Sequence, residues 1–251
     1  MLLADRSAVI YGGGGAIGGA VARVFAREGA RVFLAGRTAA RLEAVAEDIR
    51  AAGGTAHTAV VDALDGRAVN EHADHVAATA GGIDISFSLV SQNDVQGTPL
   101  VEMSLEDFEQ PVLTTLRSTL LTAQAAARHM IPAGSGVILV FGGNGDPPRG
   151  HHVGGLMTAF GAQEALRRQL ATELGPHGIR VLTLQTGGIV DTLPAGEPWA
   201  ADIAAELTGT TLLGRAATRE DVGNVAAFAA SDLARSMTAT ALNITAGAAL
   251  D

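Results

Sequence analysis

Ala8-Val9-Ile10-Tyr11-Gly12-Gly13-Gly14-Gly15-Ala16-Ile17-Gly18-Gly19 decides the fold of this 251-residue chain. The stretch joins a short apolar strand to a helix that we expect to continue to about Glu28. Glycines at such a turn let a pyrophosphate approach the backbone, and the free N–H groups at the helix N-terminus bind its charge. The position in the first strand–turn–helix unit favours a dinucleotide site over a glycine turn without a ligand. The predicted contacts are Gly12, Gly14, Gly15, Ala16, Ile17 and Gly18.

The second apolar strand, 31–35, is followed by Gly36-Arg37-Thr38. An acid at the end of this strand binds the adenosine ribose of NAD, whereas an arginine accommodates the 2′-phosphate of NADP. Arg37, with no acid beside it, therefore predicts NADP(H), with NAD the less favoured cofactor. The alternative is that Arg37 is a solvated loop charge.

Apolar strands alternate with helical stretches along the rest of the chain. We expect further strands at 59–61, 83–87, 137–141, 180–184 and 241–244, and helices at 38–52, 67–80, 104–130 and 153–174. Continuously apolar strands, each followed by a helix, are typical of a parallel sheet covered on both faces. The sequence predicts an α/β fold: a doubly wound, Rossmann-type, seven-stranded parallel sheet with helices on both faces, in one domain over 1–251.

The least regular stretch is Thr192 to Gly209, which contains Pro194, Pro198 and Trp199, the one tryptophan of the chain. We expect it to pass as an irregular excursion over the open end of the sheet, where doubly wound folds bind their ligands. Trp199 is then either a lid over the pocket or an anchor for the segment.

The composition excludes several kinds of partner. The net charge is −9 and no basic cluster is present, so nucleic acids and anionic membrane surfaces are unfavourable partners. The sequence has no apolar run of membrane-spanning length, and its N-terminus, with the early acid Asp5, is unlike a signal peptide. The absence of cysteine excludes thiol chemistry and fits a cytoplasmic location, which we predict.

Several motifs, in order, are similar to those of one known family. The glycine turn is similar to its Thr-Gly-x-x-x-Gly-x-Gly motif, with Tyr11 replacing Thr and Ala16 the middle glycine. The remaining matches are 61–63, 171–181, 187–192, 213–215, 220–222 and 230–232. Over nearly its whole length the chain resembles the short-chain dehydrogenase/reductase family.

This resemblance implies hydride transfer to or from a nicotinamide, coupled to proton transfer at a carbonyl or hydroxyl group. It implies a small-molecule substrate and a homodimer or homotetramer. It also adds cofactor contacts from the stretch whose acid contacts adenine, from the segment after the fourth strand and from the loop beside the nicotinamide: Asp62, Ala63, Ser88, Gly187, Ile189 and Thr192.

The family's catalytic tetrad is changed at every position that the resemblance assigns. Counting along the matched motifs, the Asn, Ser, Tyr and Lys positions are occupied by Thr115, Gly143, Leu156 and Phe160. All 17 basic residues are arginine, so no lysine is available in any alignment. Tyr11 is the one tyrosine, and it ends the first strand beside the glycine turn. A standard Tyr–Lys pair is therefore absent from the sequence.

His152 and His151, just before the helix that begins near Leu156, are the candidates for a substitute proton donor. Histidine titrates near neutral pH, which suits a general acid, although the pair is also consistent with a solvated loop. Asn144, Asp146 and Asp191 are further polar residues in the loops around the pocket. His72 and His75 lie one helical turn apart, but a zinc site needs further donors, and we predict no metal.

Three functions stay open at this point. The first is an NADP(H)-dependent oxidoreductase with an unorthodox acid. The second is a catalytically inactive dinucleotide-binding subunit or redox sensor, which the apolar Leu156 and Phe160 favour. The third is a lyase or isomerase that has lost the cofactor, against which the glycine turn and Arg37 argue.

Overall fold

A computed structural model describes residues 1–143, 151–194 and 196–250. Seven strands of the described residues form one sheet in the order β3-β2-β1-β4-β5-β6-β7, and every neighbouring pair is parallel. Their bounds are β1 Ser7–Tyr11, β2 Arg31–Gly36, β3 Thr55–Val60, β4 Ile85–Ser88, β5 Gly136–Gly143, β6 Ile179–Thr186 and β7 Thr240–Ile244. The predicted fold class, a doubly wound seven-stranded parallel sheet, is confirmed.

Helices cover both faces of this sheet. In the described part of the chain they are α1 Ala16–Arg27, α2 Ala39–Ala51, α3 Gly66–Ala80, α4 Leu105–Ala133, α5 Leu156–Leu174, α6 Pro198–Gly209 and α7 Arg219–Ala230. Ser104 caps α4, because its hydroxyl accepts a hydrogen bond from the backbone N–H of Asp107. No helix of the described residues has the length and apolar character that crossing a membrane requires.

The core divides into two layers, one on each face of the sheet. Side chains alternate along β1: Ala8 and Ile10 pack with α1, α2 and α7, whereas Val9 and Tyr11 pack with α3, α4 and α5. All five residues of β1 are buried because helices cover both faces. This double burial explains the continuous apolar runs of the sequence.

Two sequence-based expectations were wrong. Strand β3 begins at Thr55, four residues before the predicted 59, and its outer positions are exposed. As the edge strand it needs no continuous apolar run. The stretch 192–209 is not irregular throughout, because α6 occupies Pro198–Gly209. Its proline lies at the first helical position, where a missing N–H is tolerated, and the alanines that follow favour a helix.

Helix α7 was not predicted from the sequence. It begins with a capping box, in which Thr218 and Asp221 exchange side-chain-to-backbone hydrogen bonds. The motif Thr-Arg-Glu-Asp that forms this box is visible in the sequence and could have located the helix start.

Candidate active site and dinucleotide crevice

A crevice opens at the carboxyl edge of the sheet where the strand order reverses between β1 and β4. Doubly wound folds bind their ligands at this switch point. The first end of the crevice is lined by the glycine turn, with Gly12, Gly14 and Gly15 at its surface. The predicted contacts Ala16, Ile17 and Gly18 follow directly in the first turn of α1.

The glycines of this turn are required by close backbone packing. Gly12 has φ +81°, and a Cβ at this residue would lie 2.2 Å from the carbonyl oxygen of Leu89. A Cβ at Gly18 would lie 2.2 Å from the carbonyl oxygen of Gly12. Gly15 caps α1 with no side-chain hydrogen bond, so the first N–H groups of the helix have no competing side-chain acceptor. The turn therefore fits a diphosphate at a helix N-terminus.

The second end of the crevice, beside β2 and β3, is positively charged. Arg37 and Arg41 both line it, are exposed, and make no ion pair with any other described residue. Arg41, in the first turn of α2 and four residues after Arg37, which precedes the helix, was not identified from the sequence. Two unpaired guanidinium groups at this end fit a phosphate on the adenosine ribose.

Asp62 and Ala63 line the same end of the crevice. Asp62 is exposed, and its Oδ1 accepts a hydrogen bond from the backbone N–H of Leu64 at 2.9 Å. This contact orients the carboxylate in the turn after β3 and leaves Oδ2 without a partner among the described residues. Its contact with adenine stays a prediction.

The nicotinamide-side residues named from the sequence lie at the ends of β4 and β6. Ser88 is buried at the end of β4, opposite Tyr11 of β1 and Val140 of β5. Gly187, Ile189 and Thr192 follow β6, and the Thr192 hydroxyl donates a hydrogen bond to the carbonyl oxygen of Ile189 at 2.7 Å. These four do not line the crevice beside the glycine turn, and their contact with the cofactor stays a prediction.

The positions assigned to the catalytic Ser, Tyr and Lys hold a group of apolar residues. Gly143 ends β5, Leu156 begins α5, and Phe160 lies one turn further along α5. A Cβ at Gly143 would lie 2.7 Å from Cε2 and 2.8 Å from Cδ2 of the Phe160 ring. Phe160 is 7% exposed and Leu156 is half-buried. None of these three side chains carries an ionisable group.

Thr115, at the assigned Asn position, lies on the buried side of α4. It is 3% exposed, and its hydroxyl has no hydrogen-bond partner among the described residues. One turn further along α4, Thr119 accepts a hydrogen bond from Gln163 Nε2 of α5 at 2.9 Å, which ties the two helices together.

The two candidate histidines lie in the segment before α5, and both are exposed. His151 Nε2 is 2.7 Å from Glu206 Oε1 of α6. The carbonyl oxygen of His152 accepts a hydrogen bond from the backbone N–H of Gly97 at 2.7 Å, while its ring makes no contact with another described polar group. Asn144 and Asp146 lie outside the described residues.

Neither Asp191 nor Tyr11 is a suitable proton donor. Asp191 accepts hydrogen bonds from the backbone N–H of Arg219 and forms an ion pair with its guanidinium group at 3.1 Å, so it stabilises the start of α7. Tyr11 is 2% exposed, and burial raises the pKa of its phenol above the ordinary value. A phenol with a raised pKa is a weaker acid, and this makes Tyr11 a poor proton donor.

Among the described residues, no group of three His, Asp or Glu side chains is arranged to hold a metal ion. His72 is 7% exposed and its ring contacts the edge of Tyr11, with ring centroids 5.8 Å apart. It is a packed residue of the α3 core layer.

Comparison with known proteins decides the family. The family model described as "Enoyl-(Acyl carrier protein) reductase" matches residues 14–249. A crystal structure of a short-chain type dehydrogenase/reductase from Mycobacterium marinum is 28% identical, covers 99% of this chain and 97% of that chain, and has a TM-score of 0.87. The chain belongs to the short-chain dehydrogenase/reductase family. The family uses NAD or NADP, and this short-chain dehydrogenase/reductase is by family an oxidoreductase.

Several relatives of this short-chain dehydrogenase/reductase are dehydrogenases. A (−)-isopiperitenol/(−)-carveol dehydrogenase of Mentha piperita is 31% identical over 254 residues, which cover 98% of this chain and 94% of the relative. A D-threitol dehydrogenase of Mycolicibacterium smegmatis is 29% identical over 246 residues, which cover 98% and 93%. A short-chain dehydrogenase/reductase structure from Serratia marcescens is 26% identical over the whole of both chains, with a TM-score of 0.88.

Proposed function

We propose that this protein is an NADP(H)-dependent oxidoreductase that acts on a small carbonyl or alcohol substrate with a non-standard proton donor. One observation carries the cofactor preference: the adenosine end of the crevice has two arginines, Arg37 and Arg41, that pair with no described acid, and β2 ends in Gly36 rather than in an acid. A ribose 2′-phosphate would be paired there, whereas a 2′-hydroxyl would lack its usual carboxylate partner. When bound, the nicotinamide supplies or accepts the hydride.

The substrate side of the proposal draws on the relatives. Two of them are dehydrogenases named for small hydroxylated compounds, carveol and threitol. The apolar group of Gly143, Leu156 and Phe160 supports an apolar substrate more than a sugar. A hydrocarbon ring buried there loses contact with water and leaves no polar group of these three residues unpaired.

Proton transfer to or from a carbonyl oxygen is assigned to His152, with His151 as the second candidate. The His151 ring is held by Glu206, whereas the His152 ring has no described polar partner and is free to turn toward a substrate. A positioned general acid contributes about 10²–10⁴-fold to such a step. The proposal therefore predicts slow carbonyl reduction in a His152→Asn variant.

A homodimer or homotetramer is part of the same proposal. Leu113 and Leu120 are 62% and 37% exposed on α4 and offer apolar surface for such a contact. Light scattering coupled to gel filtration measures the oligomeric state directly. A monomer at micromolar concentration would contradict the proposed association.

The cofactor proposal is tested by calorimetric titration with NADPH and NADH. We expect NADPH to bind about tenfold or more tightly, equivalent to about 1.4 kcal/mol. Replacing both arginines in Arg37→Ala/Arg41→Ala removes this difference. The matched control Arg168→Ala/Arg235→Ala deletes the same charge at two exposed arginines away from the crevice and preserves it. No binding of either dinucleotide at millimolar concentration would contradict the proposed function.

A second candidate is a dinucleotide-binding protein without catalytic activity, such as a partner subunit or redox sensor. The observation that favours it is the contact between Phe160 and Gly143, which fills the assigned catalytic positions with apolar atoms. This candidate predicts the same NADPH titration but no turnover on a broad panel of ketones, enones, imines and alcohols.

A further inference from the structure

The apolar group of Gly143, Leu156 and Phe160 restricts the chemistry that the proposed hydride-transfer site performs well. Reduction of a ketone moves the C=O π pair onto oxygen, and the resulting alkoxide requires a proton in the transition state. The chain has no lysine, and its one tyrosine is a buried residue of β1. Gly143 at the end of β5, and Leu156 and Phe160 at the start of α5, provide no acid.

A hydride acceptor that already carries positive charge needs no such proton. We propose that this site reduces iminium ions to amines, with the reduced nicotinamide dinucleotide as hydride donor. This inference rests on the cofactor and hydride transfer of the proposed function. It replaces the carbonyl substrate and the His152 acid of that proposal with a substrate class that needs no protein acid.

The step balances without an acid from the protein. One hydride leaves C4 of the reduced nicotinamide and forms a C–H bond at the iminium carbon. The C=N π pair becomes the lone pair of a neutral amine, and the nicotinamide ring takes over the positive charge. The amine later equilibrates with protons of the solvent.

The charge distribution of the chain agrees with a cationic substrate. Segments 89–116 and 187–214 follow β4 and β6 and end just before Arg117 and Arg215. They contain no arginine or lysine and nine acidic residues. The other 17 acidic residues of the chain are matched in number by its 17 arginines. The excess negative charge therefore lies in these two segments, whose acids are Asp94, Glu102, Glu106, Asp107, Glu109, Asp191, Glu197, Asp202 and Glu206.

The fold brings these two acidic segments to the same side of the site. Strands β4 and β6 flank β5 and are parallel to it, so both segments leave the carboxyl edge of the sheet beside Gly143. Both also contact the residues before α5: Gly97 donates to the His152 carbonyl oxygen, and Glu206 pairs with His151. Asp191 is neutralised by Arg219, but Glu102, Glu109 and Asp202 are exposed and have no cationic partner among the described residues.

A site opening flanked by negatively charged segments raises the local concentration of a cationic substrate and repels anions. The apolar interior then removes water from the cation next to the hydride donor, where attraction to the acidic rim is less screened. The opposite end of the crevice, with Arg37 and Arg41, is basic. This division separates the phosphate-binding end from the cation-binding end.

The test compares two compounds of one ring system with NADPH as the reductant. N-methyl-3,4-dihydroisoquinolinium is the iminium probe, and 1-tetralone is the ketone probe. After subtraction of the reaction without protein, we expect kcat/KM for the iminium ion to exceed that for the ketone by about 100-fold or more, the smallest usual contribution of a general acid. We also expect this value to stay constant between pH 6 and 9 and to show no solvent deuterium isotope effect.

Binding provides a readout that does not depend on turnover. To the NADPH complex, the inert cation N,N-dimethyl-tetrahydroisoquinolinium should bind more tightly than neutral N-acetyl-tetrahydroisoquinoline. The variant Glu102→Gln/Asp202→Asn should weaken cation binding about threefold at low ionic strength and not at high salt. The matched control Glu47→Gln/Glu173→Gln removes the same charge from exposed residues of α2 and α5 and should not change it.

The outcomes separate the inference from the proposed function. Equal or faster reduction of the ketone, or equal binding of cation and neutral analogue, overturns the iminium assignment while NADPH binding supports the proposed function. Failure to bind NADPH overturns both. An iminium rate that follows a single ionisation of the protein overturns the claim that no protein acid takes part.

Discussion

The ring of Phe160 occupies the space next to Gly143 that any larger residue at position 143 would need. The approach of 2.7 Å between a Cβ at 143 and ring atom Cε2 is shorter than real Cβ contacts allow. The two residues therefore form a complementary pair across β5 and α5. A serine at position 143 therefore fits beside an aromatic ring at position 160 only if the ring moves.

The first prediction concerns this pair. Gly143→Ser should lower the free energy of unfolding by about 1–3 kcal/mol, because inserted atoms in a packed core force strain. Phe160→Ala itself should lower the free energy of unfolding by about 3–5 kcal/mol. When Gly143→Ser is added to Phe160→Ala, it should cause almost no further loss of stability. Urea denaturation of wild type, both single variants and the double variant gives the coupling energy, expected at about 1–3 kcal/mol. Additive effects would show that the ring and the Cβ do not compete.

The second prediction changes the cofactor preference at the end of β2. Gly36→Asp places a carboxylate where an NAD site carries one, and it should weaken NADPH binding about tenfold or more while strengthening NADH binding. The substitution fits the fold, since a Cβ at Gly36 would lie 3.4 Å from Leu42 Cδ2, an ordinary contact. Gly36→Ala is the control, and titration of this variant should show an unchanged preference for NADPH over NADH. If both variants lose NADPH equally, the effect is steric rather than electrostatic.

The third prediction separates backbone strain from collision in the glycine turn. Gly12 and Gly53 have nearly equal φ angles, +81° and +83°, but a Cβ at Gly53 meets no atom within 4 Å. Gly53→Ala should therefore lose only the strain of a positive φ, about 1–2 kcal/mol. Gly12→Ala adds the collision with the Leu89 carbonyl, so it should lose clearly more and also abolish dinucleotide binding. Chemical denaturation and NADPH titration of both variants provide the comparison.

Local sequence patterns predicted most of the sheet because each buried strand carries its own apolar run. Strands β1 and β2, and the turn between β1 and α1, needed no tertiary information. Strand β3 was placed four residues late because an edge strand is apolar only where it touches a helix, and His57 and Thr58 are exposed. Helix α6 was missed because Pro194 and Pro198 were interpreted as marks of an irregular stretch, although Pro198 stands at the first position of the helix.

The site was less accessible to sequence reasoning because it depends on contacts between distant segments. The pairing of His151 with Glu206 spans 55 residues, and the engagement of Asp191 by Arg219 spans 28. Nothing in a linear pattern reports either contact. The fit of the Phe160 ring against Gly143 is likewise a consequence of how α5 packs on β5, which spacing alone does not determine.

The last prediction concerns the pH dependence of stability that His72 produces. Burial, together with the nearby His75, lowers the pKa of His72 to about 4 in the folded protein, against about 6.5 in an unfolded chain. Between these values the unfolded state binds a proton that the folded state does not, so stability falls as pH is lowered from about 6.5 to about 4. The shift in pKa corresponds to a loss of stability of at most about 3 kcal/mol.

Two variants test this assignment. His72→Phe keeps an aromatic ring against Tyr11 but does not titrate, whereas His75→Gln leaves the buried His72 in place. Urea denaturation between pH 4.5 and 7.5 should therefore show a smaller slope in His72→Phe and nearly the wild-type slope in His75→Gln. Equal slopes in wild type and His72→Phe would assign the acid sensitivity to other groups, since only a residue that is buried and uncharged at neutral pH gives a loss confined to this window.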